Sequence, residues 1–195
     1  MSRASEHLLL PITGLLLAGG AGRRMGGEDK GWIEYRGAAL ATHALRPLER
    51  HAREILISAN RNHERYAALG YPVVTDAESG FAGPLQGILA GLAAARFDWL
   101  AVVPVDAPHL PDDLLWQLWQ LRRGVPLVVA RDERDIVPVI ALLHRRLLSL
   151  LQRFVASGQR RAGDFFAAIP QQQLRLRAEE LRNCNTPADL QEPIA

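Results

Sequence analysis

The segment LLLAGGAGRRMGGEDKG, Leu15 to Gly31, sets six glycines and three cations directly behind an apolar run. Glycines clear side chains from the backbone so that its amides can approach an anion, and Arg23, Arg24 and Lys30 supply charge to neutralise it. The chemistry this suits is phosphate binding. Two familiar phosphate loops do not match. A P-loop needs Gly-Lys-Ser or Gly-Lys-Thr, whereas Asp29 precedes Lys30 and Gly31 follows it; a dinucleotide fingerprint needs a third glycine where Met25 stands. A flexible soluble connection is the plain competitor. The ordering favours a triphosphate site: strand, glycines, Arg23-Arg24, Gly26-Gly27, then Lys30.

Such residues need a frame. Apolar runs of strand length at Ile12 to Ala18, Glu54 to Ser58, Pro72 to Thr75, Trp99 to Pro104, Pro126 to Ala130 and Ile136 to Leu143 alternate with amphipathic stretches. Those stretches predict helices at Ala39 to Ala52, Asn62 to Leu69, Gly83 to Ala95, Pro111 to Arg122 and His144 to Ser157, with Pro47 bending or dividing the first. Strands apolar on both faces indicate a covered, mostly parallel sheet: an α/β, Rossmann-like fold with helices on both faces and ligand loops at the carboxyl ends of the strands. Three strand ends carry unusual residues, namely Gly19 to Lys30, Asp76, and PVDAPHLP from Pro104 to Pro111. Trp116 and Trp119, three apart on a predicted helix, read as core, and the separated His109 and His144 as no metal pair.

A chain of 195 residues with 48% hydrophobic and 23% charged residues is expected to form one domain, residues 1–195. A net charge of +2, with Lys and Arg evenly spread, argues against nucleic acid as a partner. No run approaches a membrane span, and Pro11, Thr13 and Gly14 break the apolar stretch that would otherwise resemble a signal segment. One cysteine, Cys184, allows no internal disulfide, so a reducing, cytoplasmic setting is expected.

The pattern L-A-G-G-x-x-x-R-M-G-G-x-D-K-G, from Leu17 to Gly31, resembles the signature of the molybdenum cofactor guanylyltransferases, which are nucleotidyltransferases. GPLQGILAGL (Gly83 to Leu92), PVDAPHLP and NCNTPADL (Asn183 to Leu190) extend the likeness over nearly the whole chain. The resemblance implies transfer of GMP from GTP to the terminal phosphate of molybdopterin, with release of pyrophosphate. It implies Mg²⁺ as cofactor, and other molybdenum cofactor proteins and recipient molybdoenzymes as partners. By the same likeness, Leu17, Ala18, Gly19 and Gly20 lie against the nucleotide. Arg24 and Lys30 grip the triphosphate, and Asp106 holds Mg²⁺ and contacts the nucleotide. Asp76 contacts base or ribose, with a turn-forming role as the competing explanation. Ser58 stands where the family has a nucleotide-contacting Asn, with Asn60 two residues on. Arg160, Arg161, Asn183 and Asn185 are candidates for the pterin side, and Gly83 and Gly87 serve either packing or close approach of a ligand. Three alternatives stay open: a cytidylyltransferase for the same cofactor, a sugar-phosphate nucleotidyltransferase of the same fold, and a non-catalytic molybdopterin carrier.

Overall fold

The computed structural model describes residues 8–19, 29–75, 83–184 and 189. Its centre is β1 (Leu10–Leu17), paired in parallel with β4 (Ala52–Ser58) on one side and β6 (Trp99–Pro104) on the other. Because side chains alternate across a strand, Ile12 and Leu16 enter the apolar cluster on one face while Leu15 enters the cluster on the other. Burial on both faces is why β1 carries apolar side chains at consecutive positions from Leu15 to Leu17, with the buried Thr13 and Gly14 just before them.

The main sheet has seven strands in the order β5-β4-β1-β6-β8-β7-β9, with β5 at Val73–Val74, β7 at Leu127–Arg131, β8 at Ile136–His144 and β9 at Gln171–Arg175. Only β8 runs antiparallel to its neighbours; the other pairings are parallel. The carboxyl ends of β1, β4 and β6 therefore lie side by side, with Leu17 in register with both Ser58 and Pro104. A second small sheet, β2 (Glu34–Tyr35) with β3 (Ala38–Ala39), turns through Arg36 and Gly37, both at positive φ as a tight hairpin requires.

Helices cover both faces. Residues from α1 (Leu40–His51), α2 (His63–Ala67) and α4 (Leu114–Leu121) join the cluster around Ile12 and Leu16. Residues from α3 (Pro84–Ala94), α5 (Leu148–Ala156) and α6 (Ala162–Ala167) join the one around Leu15. In α1 the buried Leu40, Ala41, Ala44, Leu45 and Leu48 form one stripe at helical spacing. Pro47 does not divide this helix. It is buried within a continuous element, where burial of the helix's apolar stripe offsets the lost backbone bond.

Other boundaries also shift. The α4 helix begins at Leu114, after a turn in which Leu114 N donates to Pro111 O, and β8 runs on to His144 before a short 3-10 turn leads into α5. Trp116 is not core: it is 38% exposed, because the buried face of α4 is made by Leu114, Leu115 and Leu118. Trp119 is the one that packs, edge-on to Trp99 and beneath the Arg122 guanidinium.

Candidate nucleotide and metal site

The site forms where three parallel strands end together. Ala18 N donates to Ser58 O (2.8 Å) and Val105 N donates to Leu17 O (3.0 Å), so the backbone leaving β1 is clamped between the ends of β4 and β6. Beyond it, Gly19 faces the Asn60 side-chain amide, with Nδ2 3.2 Å from where a Cβ would stand. Ser58 is 1% exposed and its side chain lies against Gly87 of α3. Of the two, Asn60 is the one whose side-chain amide lies beside Gly19, and Ser58 is packed against α3.

Gly87 and Gly91 settle one alternative. A Cβ on Gly87 would press on Ser58 Oγ and Leu17, and one on Gly91 on Leu15, so their smallness lets α3 lie close on β4 and β1. Both are packing residues. At the start of the same helix, Gly83 has φ +89° and sits near the backbone of Arg160, which brings the loop before α6 to the amino end of α3. Arg161 stands at the amino cap of α6.

Asp29 caps a 3-10 turn, Lys30–Trp32. Lys30 Nζ lies 2.9 Å from Asp106 Oδ2, and both side chains are only 19% exposed. Residues 76 apart in sequence thus form one ion pair at the end of β6. Asp106 is further fixed through its backbone, since its carbonyl accepts from Cys184 N at 2.8 Å. Cys184 is buried with Tyr35 and Leu40, and burial followed by the Asp189 charge pushes its thiol pKa up. Its role in the fold is to anchor the carboxyl-terminal segment beside Asp106, and its neighbour Asn183 is exposed there.

Asp29 has a different job. Its Oδ1 accepts from Tyr66 Oη (2.7 Å) and Gly31 N (3.2 Å), and its Oδ2 accepts from Asn62 Nδ2 (2.9 Å) with Arg61 Nε at 3.7 Å. With both oxygens engaged by protein donors, it is a structural carboxylate. Burial and the neighbouring carboxylate push the Tyr66 hydroxyl pKa up, which keeps it a donor. Gly31 is required because a Cβ there would collide with Tyr66 Oη.

Three residues beyond Asp106 in the chain, His109 Nε2 is 3.3 Å from Tyr35 Oη, and His43 Nε2 meets Tyr35 O at 2.7 Å. Burial, then the charges of Arg36, Arg182 and His43, lower the His109 pKa. His144 packs edge-on to Trp99 and its Nδ1 accepts from Arg146 N.

Asp106 suits magnesium as residue chemistry. Mg²⁺ takes one or two carboxylates and completes its shell with phosphates and water, and the ammonium at 2.9 Å shows the carboxylate aimed at a cation. Among the described residues no group of three or more His, Cys, Asp or Glu gathers to make an all-protein metal cage. Gly20, Arg24, Asp76 and Asn185 lie outside the described residues. Asp29, Tyr66 and Asn62 carry no signal in the sequence beyond the D-K-G order, because their hydrogen bonds join residues far apart in the chain.

Residues 14–175 match the model of the MobA-like NTP transferase domain. A molybdenum cofactor guanylyltransferase of Yersinia pseudotuberculosis is 39% identical over 180 residues, covering 91% of this chain and 92% of that one. Among solved structures, molybdopterin-guanine dinucleotide biosynthesis protein A of Archaeoglobus fulgidus superposes with TM-score 0.70 at 22% identity, over 91% of this chain and 94% of that one. The 4-diphosphocytidyl-2C-methyl-D-erythritol synthase of Anaerococcus prevotii does so with TM-score 0.73 at 12% identity, over 95% and 94%, a likeness of fold alone. With its glycine loop, its Lys30–Asp106 pair and these relatives, the chain belongs to the MobA-like NTP transferases, in the molybdenum cofactor guanylyltransferase family.

Proposed function

We propose that this protein transfers GMP from GTP to molybdopterin, as a single nucleotidyltransferase domain spanning residues 1–195, with Mg²⁺ as cofactor and in the cytoplasm. The Lys30–Asp106 pair carries the reading: a cation and a carboxylate held together at the carboxyl ends of parallel strands, with the lysine following a glycine-rich segment in sequence. No helix of the described residues is long and apolar enough to cross a membrane.

In the reaction, an oxygen of the molybdopterin phosphate attacks the α-phosphorus of GTP. The bond from that phosphorus to the bridging oxygen breaks, and pyrophosphate leaves with the electron pair. The nucleophile is already anionic, so the protein's task is alignment and charge stabilisation rather than proton transfer. The backbone of Leu17, Ala18 and Gly19 receives the nucleotide, with the Asn60 side-chain amide beside Gly19. Ser58 supports this edge from below, and Asp76 is assigned to base or ribose. Lys30 and Arg24 hold the triphosphate, and Lys30 takes up charge as pyrophosphate departs. Asp106 would hold Mg²⁺, which when bound neutralises phosphate charge. Arg160, Arg161, Asn183 and Asn185 are assigned to the pterin side.

Guanine presents O6 as acceptor and N1 and N2 as donors, so a site matched to them leaves buried polar groups unpaired with another base. Incubation with Mg²⁺, molybdopterin and each of the four nucleoside triphosphates, read by product mass, tests this. We expect GTP to exceed ATP by at least about a hundredfold in kcat/KM. Equal or better transfer from CTP would replace guanylyl by cytidylyl; transfer only to a sugar phosphate would remove the acceptor.

A further inference from the structure

Lys30 sits in a turn whose backbone is tied down at both ends. Trp32 N donates to Asp29 O (3.0 Å) and Ile33 N donates to Lys30 O (3.1 Å), while the Asp29 side chain closes the turn onto Gly31 N. Both oxygens of the Asp29 carboxylate are held from α2 and the residue before it. Tyr66 supplies its hydroxyl to Oδ1, and Asn62 its amide to Oδ2. Asn62 is in the left-handed region at φ 53°, a conformation that aims its side chain back across the turn and that asparagine tolerates well. Tyr66 also packs against Trp32, with ring centroids 4.9 Å apart, and Arg65 covers the outer face of that indole at 4.1 Å. The turn is thus gripped on one side by α2, and on the other it extends Lys30 to Asp106.

We propose that Tyr66 and Asn62 are positioning residues for Lys30: acting through Asp29, they lock the turn from which its ammonium reaches the reacting phosphates. The inference rests on the role assigned to Lys30 above. Neither side chain touches Asp106 in this arrangement; their effect passes through one carboxylate and one peptide unit. Lys30 has a long flexible stem, so fixing its Cα is what limits where the charge can sit. Gly31 belongs to the same device, since any larger residue would drive the Tyr66 hydroxyl off Asp29.

The test is a double-mutant cycle on the full chain, reading GMP transfer from GTP to molybdopterin well below each variant's melting temperature. Tyr66→Phe removes one oxygen. It should lower kcat about tenfold, the lower end of what is lost when a group orienting a metal ligand is removed, with little change in KM for molybdopterin. In a Lys30→Ala background the same change should cost nothing further. A fall of the same size in both backgrounds, or a folded Tyr66→Phe with full activity, overturns the proposal. Asn62→Gly, which keeps the left-handed backbone and deletes the other donor, should repeat the pattern and decides the matter if Tyr66→Phe does not fold. Full activity in the Lys30→Ala single variant would instead refute the role of Lys30 itself, an outcome visible without any change at Tyr66.

Discussion

Replacing Lys30 by alanine separates catalysis from stability. The lost ion pair is 2.9 Å long, and each side chain keeps 19% of its exposure, so Asp106 can recover hydration when its partner is gone. Exposed pairs contribute about 0–1 kcal/mol. Deeper burial here raises that somewhat, to about 1–2 kcal/mol if the remaining carboxylate is incompletely solvated. For a chain of this length each kcal/mol is about 2–4 °C in Tm, so the melting temperature should fall by no more than about 8 °C. The effect on turnover should be larger. Removing one preorganised electrostatic partner of a developing negative charge typically costs about 10²–10³ in rate, and a lysine at a partly open site falls within about one to three orders of magnitude in kcat/KM. Steady-state GMP transfer at 25 °C, beside a thermal melt of the same preparation, gives both numbers. A sharp drop in Tm with turnover intact would make Lys30 a structural residue and break the link between loop and chemistry.

Other substitutions probe the frame. Gly87→Ala would put a methyl 2.8 Å from Leu17 Cδ2 and against Ser58; over-packing of that kind costs about 1–3 kcal/mol, or about 2–12 °C in Tm, and an unchanged melt would show that α3 has room to move. His109 has its pKa lowered by burial and then by the charges of Arg36, Arg182 and His43, so on acidification below about 6.5 the unfolded chain takes the proton first and stability is lost as pH falls. Above that value His109 contributes no pH dependence. His109→Gln should therefore flatten the decline in urea midpoint between about pH 7.5 and about pH 5.5, and an identical slope in the variant would show that this histidine does not carry it.

How far the sequence can be read depends on whether the signal is local. The strands β1, β4, β6 and β7 announce themselves because they are apolar on both faces, and so does the α/β alternation that follows. By contrast β9, QQQLR, is an edge strand with largely exposed side chains and no apolar run to mark it. The two-residue strands β2 and β3 are too short to show a period. Pro47 misleads because helix-breaking is a local tendency and the burial of α1 is not local. Lys30 and Asp106 are each legible by type and motif, but their pairing is a product of the sheet register that sets β6 beside β1. The supports of Lys30 are harder still, since Asn62 and Tyr66 lie 33 and 37 residues from Asp29 and neither carries a motif. Cys184 reads as a marker of redox setting, whereas its backbone N–H secures the Asp106 carbonyl.

The proposed function makes Asp106, at the end of β6, the metal-holding carboxylate of a GMP transfer centred on the Lys30–Asp106 pair. Its most direct test is a Mg²⁺ titration of GMP transfer by the unmodified protein and by Asp106→Ala, with folding checked by circular dichroism. The unmodified protein should depend on Mg²⁺, and the folded variant should lose about a hundredfold or more in kcat/KM at every Mg²⁺ concentration, as expected when a metal carboxylate that stabilises the transition state is removed. Near-normal transfer by folded Asp106→Ala at ordinary Mg²⁺, or transfer that proceeds unchanged when divalent ions are chelated, would contradict it.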